Sequence, residues 1–390
     1  MHTLRGPAKP ELTVLRSLAN TASAVPDLPD ALRRCDPGGL VRALDDQRLL
    51  ALLGTRAIAI WGADAPRLLV EAVEADVAAN RSRGLALEAL SERFVDRLEE
   101  GGIAALVLKG PLQARRLHGD AGFRHSNDVD LLVSKGDLAP AAGVLTTFGY
   151  TVEPTPVRSH GLPDIHLILR NPAGGLPRID LHWRIHWYEE GFSERLLTRS
   201  HKRGAFLEPE PRDDLAALML FYARDGLYGL RGAVDIAAWR DLRSDLDHPL
   251  EEPWSEHPRL RRPWEAAALA AERVVGVPAG DLVPAHRRPA RATRLAANLA
   301  NWNQVGDPDQ LRANVATVDA LLSPPGELGH FLRRELFVTR AEIESIYRLP
   351  ASARWRTRAM GVVHAAKVAV RLVAGLWSAF LPPRSRSAGE

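Results

Sequence analysis

Along the first hundred residues the apolar positions recur at helical spacing. Leu40, Leu44, Leu49, Leu52 and Leu53, then Leu68, Leu69, Val73 and Val77, then Leu85, Leu87, Leu90, Phe94, Val95 and Leu98 fall on successive helix faces. These positions predict amphipathic helices, the last closed by Gly101 and Gly102 behind Glu99 and Glu100. From Ile103 to Leu108 the run turns continuously apolar and predicts a strand. A short helix, a strand containing Asp128-Val129-Asp130, a helix over Leu138–Phe148 ended by Gly149, and a strand beginning at Tyr150–Val152 follow. His166–Arg170 alternates, and the turn Asn171-Pro172-Ala173-Gly174-Gly175 leads to a strand with Asp180, predicting a hairpin. Beyond about residue 205 helices return at Asp213–Arg224, Leu230–Leu242, Trp264–Val275 and Leu311–Leu322, with His248–Pro263 read as loop. The prediction is an α/β core over 101–205, with helical regions over 1–100 and 206–350. An amphipathic helix and a disordered tail make up 351–390.

The alternation places chemistry as well as structure. Asp128 and Asp130 are two apart on a strand, so both side chains emerge on one face, while Val129, Leu131 and Leu132 argue for burial of the strand. Two carboxylates held together repel unless a divalent cation or a shared proton relieves them, which points to Mg²⁺ or Mn²⁺. Asp180, flanked by Ile179 and Leu181, can pair alongside as a third carboxylate; three such groups can hold two metal ions for phosphoryl or nucleotidyl transfer. Asp180 is also a candidate acceptor for the proton of an attacking hydroxyl. Among 46 Arg and five Lys, Lys109 stands beside Gly110 at the mouth of the first strand, where a compact charge suits phosphate.

In Leu108-Lys109-Gly110, Arg124, Asp128-Val129-Asp130-Leu131-Leu132-Val133, Gly149-Tyr150 and Asp180-Leu181-His182-Trp183 the chain resembles a bacterial family of largely uncharacterised nucleotidyltransferases within the DNA polymerase beta superfamily. The stretch Leu218–Arg240 resembles the helical region that follows the core in that family. The resemblance implies a small mixed-sheet core, Asp128, Asp130 and Asp180 as catalytic metal ligands, and an NTP bound near Lys109, Gly110, Arg124 and Ser126. It implies transfer of an NMP and leaves the acceptor unsettled; a hydroxyl of a small molecule, peptide or protein is expected. Most of the wider superfamily has Gly-Ser or Gly-Gly where this chain has Lys109-Gly110, and seventeen residues separate Gly110 from Asp128. A non-catalytic nucleotide-binding or scaffold protein, and a toxin-type enzyme modifying tRNA, are the alternatives.

Composition narrows the picture further. The net charge of +3 over 390 residues does not demand nucleic acid, although a nucleic-acid acceptor is compatible with it. The lone cysteine, Cys35, offers neither an internal disulfide nor a thiolate metal site, and no secretory signal opens the chain; a cytoplasmic location is expected. No P-loop, dinucleotide fingerprint or hydrolase elbow occurs. His182 and His186 lack the helical zinc pattern and read as packed histidines, with His182 placed beside Asp180 to orient it; Trp183 and Trp187 read as core rather than base-stacking platforms. Asp245-Leu246-Asp247 precedes His248-Pro249 instead of continuing a strand and reads as a solvated loop. Near the C-terminus, Trp355, Val362, Ala366, Ala369, Val370, Val373, Leu376, Trp377 and Phe380 form one helical stripe, with His364, Lys367 and Arg371 on another face. Those charges argue against a membrane span; the stripe is expected to pack on its own domain, with a membrane surface or a partner as alternatives.

Overall fold

The computed structural model describes residues 10–19, 27–153, 157–159, 162–163, 165–284, 289–300, 308–336, 338–347, 349–350, 352 and 354–380. Helices dominate, around a five-stranded sheet ordered Ala105–Val107, Asp128–Val133, Arg178–His182, His166–Arg170 and Thr151–Val152. The Asp128–Val133 and Arg178–His182 strands run parallel and their other pairings are antiparallel, so the sheet is mixed. The expected hairpin forms between His166–Arg170 and Arg178–His182, joined through Gly174 and Gly175, both at positive φ.

Each sheet face meets its own core. Val129, Leu131 and Val133, with Ile179 and Leu181, pack against Phe94, Leu98, Leu138, Leu145 and Tyr150. Leu132 shares the aspartates' face instead of the opposite one. It joins Leu106, Leu108 and the helices Pro211–Arg224, Arg231–Leu242 and Arg261–Val275 in a second core. The strand is thus apolar on both sides at its far end, and its aspartates cluster at the near end.

The described residues amend the sequence reading elsewhere. The helices expected around Leu68–Val77 and Leu85–Leu98 are one helix, Arg67–Glu100, since no proline interrupts it and Gly84 is packed against Ala121 and Pro111. The expected loop at 248–263 contains a helix, Glu251–Glu256, and a 3₁₀ turn, Pro258–Leu260. Asp245 and Asp247 are exposed in a loop, as expected. The C-terminal helix, Arg354–Phe380, does pack on its domain, yet through Val368, Leu372 and Ala379; Trp355, Val362, Val370, Val373, Trp377 and Phe380 are exposed. The tail expected to be disordered lies outside the described residues.

Candidate active site

Asp128 and Asp130 leave the same face of their strand, as alternation requires, and the parallel neighbour sets Asp180 directly beside Asp130 and Arg178 beside Asp128. A cleft of about 640 Å³ opens here, roofed by the loop 124–127 and by residues of the two helices that follow the sheet. Lys109, Gly110, Arg124, Ser126, Asp128, Asp130 and Asp180, the seven positions singled out from sequence, all line it.

The carboxylates are neutralised by cations placed around them. Arg178 Nη2 donates to Asp128 Oδ2 and to Asp180 Oδ2, each at 2.9 Å. Lys109 Nζ stands 3.4 Å from Asp130 Oδ1 and 4.0 Å from the centre of the Phe221 ring. His182 Nε2 lies 3.1 Å from the same Asp130 oxygen, so this buried histidine braces Asp130 and not Asp180. Burial opposes ionisation of Asp130, but the Lys109 ammonium and the His182 hydrogen bond outweigh it and hold its carboxyl well below the usual range. For Asp180 burial dominates and the neighbouring Asp130 charge adds to it; despite Arg178 its pKa is pushed up to about 6. Burial pushes the His182 imidazole down, toward its neutral form.

Asp130, Asp180 and His182 can each offer one ligand atom, all within 4.8 Å of one another. Asp180 Oδ1 is buried without a hydrogen-bond partner, and the oxygen-rich donor set suits a hard divalent cation. The residues therefore fit such an ion. Asp128, more exposed and tied to Arg178, stands at the rim of this group.

Phosphate-binding capacity is built from backbone and cations together. Gly110 adopts φ +84° between the first strand and the Pro111–His118 helix, whose N-terminus opens on the cleft. The buried Ser126 hydroxyl has no partner and lies 3.9 Å from the point a Gly110 Cβ would occupy. Seven cationic side chains, Arg48, Lys109, Arg124, Arg170, Arg178, Arg224 and Arg231, line the cleft against four carboxylates, Asp128, Asp130, Asp180 and Asp225. That surplus favours a polyanion. Arg124 does not reach the aspartate cluster: its Nε donates to Asp235 Oδ2 at 3.2 Å, while His118 Nε2 is 2.9 Å from the other Asp235 oxygen.

Sequence reasoning missed Arg178, Phe221, Arg224, Arg231 and Asp235. For Arg178 a signal existed, since it shares Asp180's face by alternation. The rest come from helices whose docking has no local signature. Trp183 and Trp187 do not line the cleft and pack at the edges of the two cores.

A mixed sheet with carboxylates in register on parallel strands, facing a cationic wall, defines the class: an α/β protein whose site can gather a divalent cation and a polyphosphate. The chain belongs to an uncharacterised nucleotidyltransferase family, whose model matches residues 34–276, a span holding the whole sheet and every cleft residue. No curated protein matches it.

Proposed function

We propose that the protein transfers an NMP from an NTP to an acceptor hydroxyl and releases pyrophosphate, with Asp128, Asp130 and Asp180 as ligands of Mg²⁺ or Mn²⁺. The observation that carries this reading is the in-register pair Asp130 and Asp180 on adjacent parallel strands, with Lys109 against the first and Arg178 against the second. The bound ion would supply charge neutralisation of the triphosphate and orientation of its α-phosphate. Lys109, Arg124 and the Gly110 turn bind the phosphates, with the Ser126 hydroxyl as a further donor. Arg178, which bridges Asp128 and Asp180, is placed to meet the charge that develops at the transferring phosphate. Asp180 accepts the proton of the acceptor hydroxyl as its oxygen bonds to the α-phosphorus. The bond from that phosphorus to the bridging oxygen breaks, and the electron pair leaves with pyrophosphate. Holding the two reactants in line and excluding water provides the rate enhancement. His182 keeps Asp130 in place and takes no part in the transfer. The acceptor is a small molecule, a peptide or a protein; the cationic lining of the cleft beside Asp128 is the observation that favours a toxin-type enzyme modifying tRNA as the second reading.

The test is transfer of label from α-³²P ATP, GTP, CTP and UTP, with Mg²⁺ or Mn²⁺, to components of a lysate of the source cells. Wild-type protein is expected to label a discrete acceptor, and Asp128→Ala/Asp130→Ala to label none. Absence of transfer with all four nucleotides, together with absence of metal-dependent NTP binding, leaves a scaffold built on this fold.

A further inference from the structure

The Arg354–Phe380 helix lies beyond the span matched by the family and has two apolar faces. Its inner face packs Val368 and Leu372 against Phe331, and Gly375 leaves no room for a Cβ against Thr317. Its outer face exposes Trp355 (71%), Val362 (73%), Val370 (68%), Val373 (67%) and Trp377 (69%). At about 100° per residue these fall within roughly a third of the helix circumference, a continuous stripe about 33 Å long between the two tryptophans.

We propose that this outer face docks on an anionic lipid bilayer, with the helix lying along the surface. Charge decides the occupant. The helix has no acidic residue and five cations, Arg354, Arg356, Arg358, Lys367 and Arg371. Arg356 sits 5.4 Å from the Trp355 ring centre, and Arg291, from a neighbouring helix, 5.5 Å from that of Phe380. Cations bordering exposed aromatics at both ends of an apolar stripe match the depth profile of a membrane interface, with rings at headgroup level and guanidinium groups beside phosphates. Pairing with a second copy would bring ten cations together with no carboxylate on either helix. By length and composition Arg354–Trp377 is sufficient to cross a membrane. Crossing would strip the inner face from the helices Pro308–Leu322, Leu328–Leu336 and Arg340–Ile346 and carry Lys367 and Arg371 into hydrocarbon.

Full-length protein is floated with vesicles of phosphatidylcholine, with and without phosphatidylglycerol. Binding to the anionic vesicles is expected, about tenfold or more weaker on phosphatidylcholine alone or in high salt. Val370→Glu and Trp377→Glu, both at exposed positions and checked for unchanged melting, are expected to abolish it. Arg356→Glu/Lys367→Glu is expected to remove the preference for anionic lipid. The proposal is overturned if wild type floats with neither vesicle, or if the Glu variants bind as well as wild type. Release from source-cell membranes only by detergent would mean a spanning helix instead. A dimer in light scattering that Val370→Glu dissociates, without vesicle binding, would assign the face to a second copy.

Discussion

Arg178 does at one position what two residues would ordinarily share, donating to carboxylates on adjacent strands and so allowing Asp128 and Asp180 to stand close together. A comparable role falls to Asp235, buried in the helical region and holding Arg124 and His118 through separate oxygens. Burial opposes its ionisation, but Arg124, His118 and Arg231 together depress its pKa to about 2. Asp235→Asn keeps the shape and removes the charge that two cleft arginines lean on, leaving buried Arg124 and half-buried Arg231 as like charges without it. The expected result is a loss of about 3 kcal/mol in unfolding free energy by urea titration, with weaker NTP binding by calorimetry. Unchanged stability would mean that Arg124 is satisfied by other groups. Neither role could be read from a window of sequence. Asp235 lies 111 residues from Arg124, and only the docking of its helix brings the two together.

At the scale of elements, the cleft depends on how closely two helices approach behind it. Pro211–Arg224 lines it with Arg224 and Arg231–Leu242 with Arg231, while Phe221 and Asp235 on the same helices contact Lys109 and Arg124. Gly232 is the contact point: a Cβ there would lie 2.5 Å from Tyr222 Cδ2 and 2.9 Å from Cγ, on a ring that is itself buried. Gly232→Ala therefore forces the helices apart, despite the better helix propensity of alanine. A net destabilisation of about 1 to 3 kcal/mol is expected, read as a lower melting temperature, with reduced NTP affinity as Arg224 and Arg231 shift. A higher melting temperature would show that propensity wins and that the ring yields. Periodicity located both helices to within a few residues, because each buries an apolar face. It was silent on their separation, which is set by one missing methyl group.

For the molecule as a whole, one core extends from Val14 to Ala379 and encloses residues that do not serve the cleft. Glu189 is the clearest cost. Its carboxyl is buried, accepts from Ile185 N at 3.1 Å, and has an unpartnered Oε2. Burial raises its pKa from 4.5 to about 7 against the opposing hydrogen bonds of Ser193 and Ile185. The folded state thus holds a proton that the unfolded state releases between pH 4.5 and about 7. Stability from this group is greatest below the lower value and declines as pH rises through the window. Glu189→Gln keeps the acceptor for Ile185 without the charge. It is expected to exceed wild type by on the order of 3 kcal/mol in urea at about pH 8, with the difference shrinking toward pH 4.5. A gap independent of pH would assign the effect to packing.

What the sequence determined by itself is what alternation and periodicity encode locally. These are the order of helices and strands, the common face of Asp128 and Asp130, the Gly110 turn, and the hairpin that brings Asp180 into the sheet. The tertiary structure decided which groups answer those aspartates and which faces meet solvent. Lys109 against Phe221, His182 beneath Asp130, Arg124 turned to Asp235 and the outward stripe of the last helix all depend on packing between elements far apart in the chain. The reason is physical. A side chain's face follows from its own backbone, whereas its partner follows from the burial of distant apolar surfaces, and for the last helix two apolar faces competed for one core.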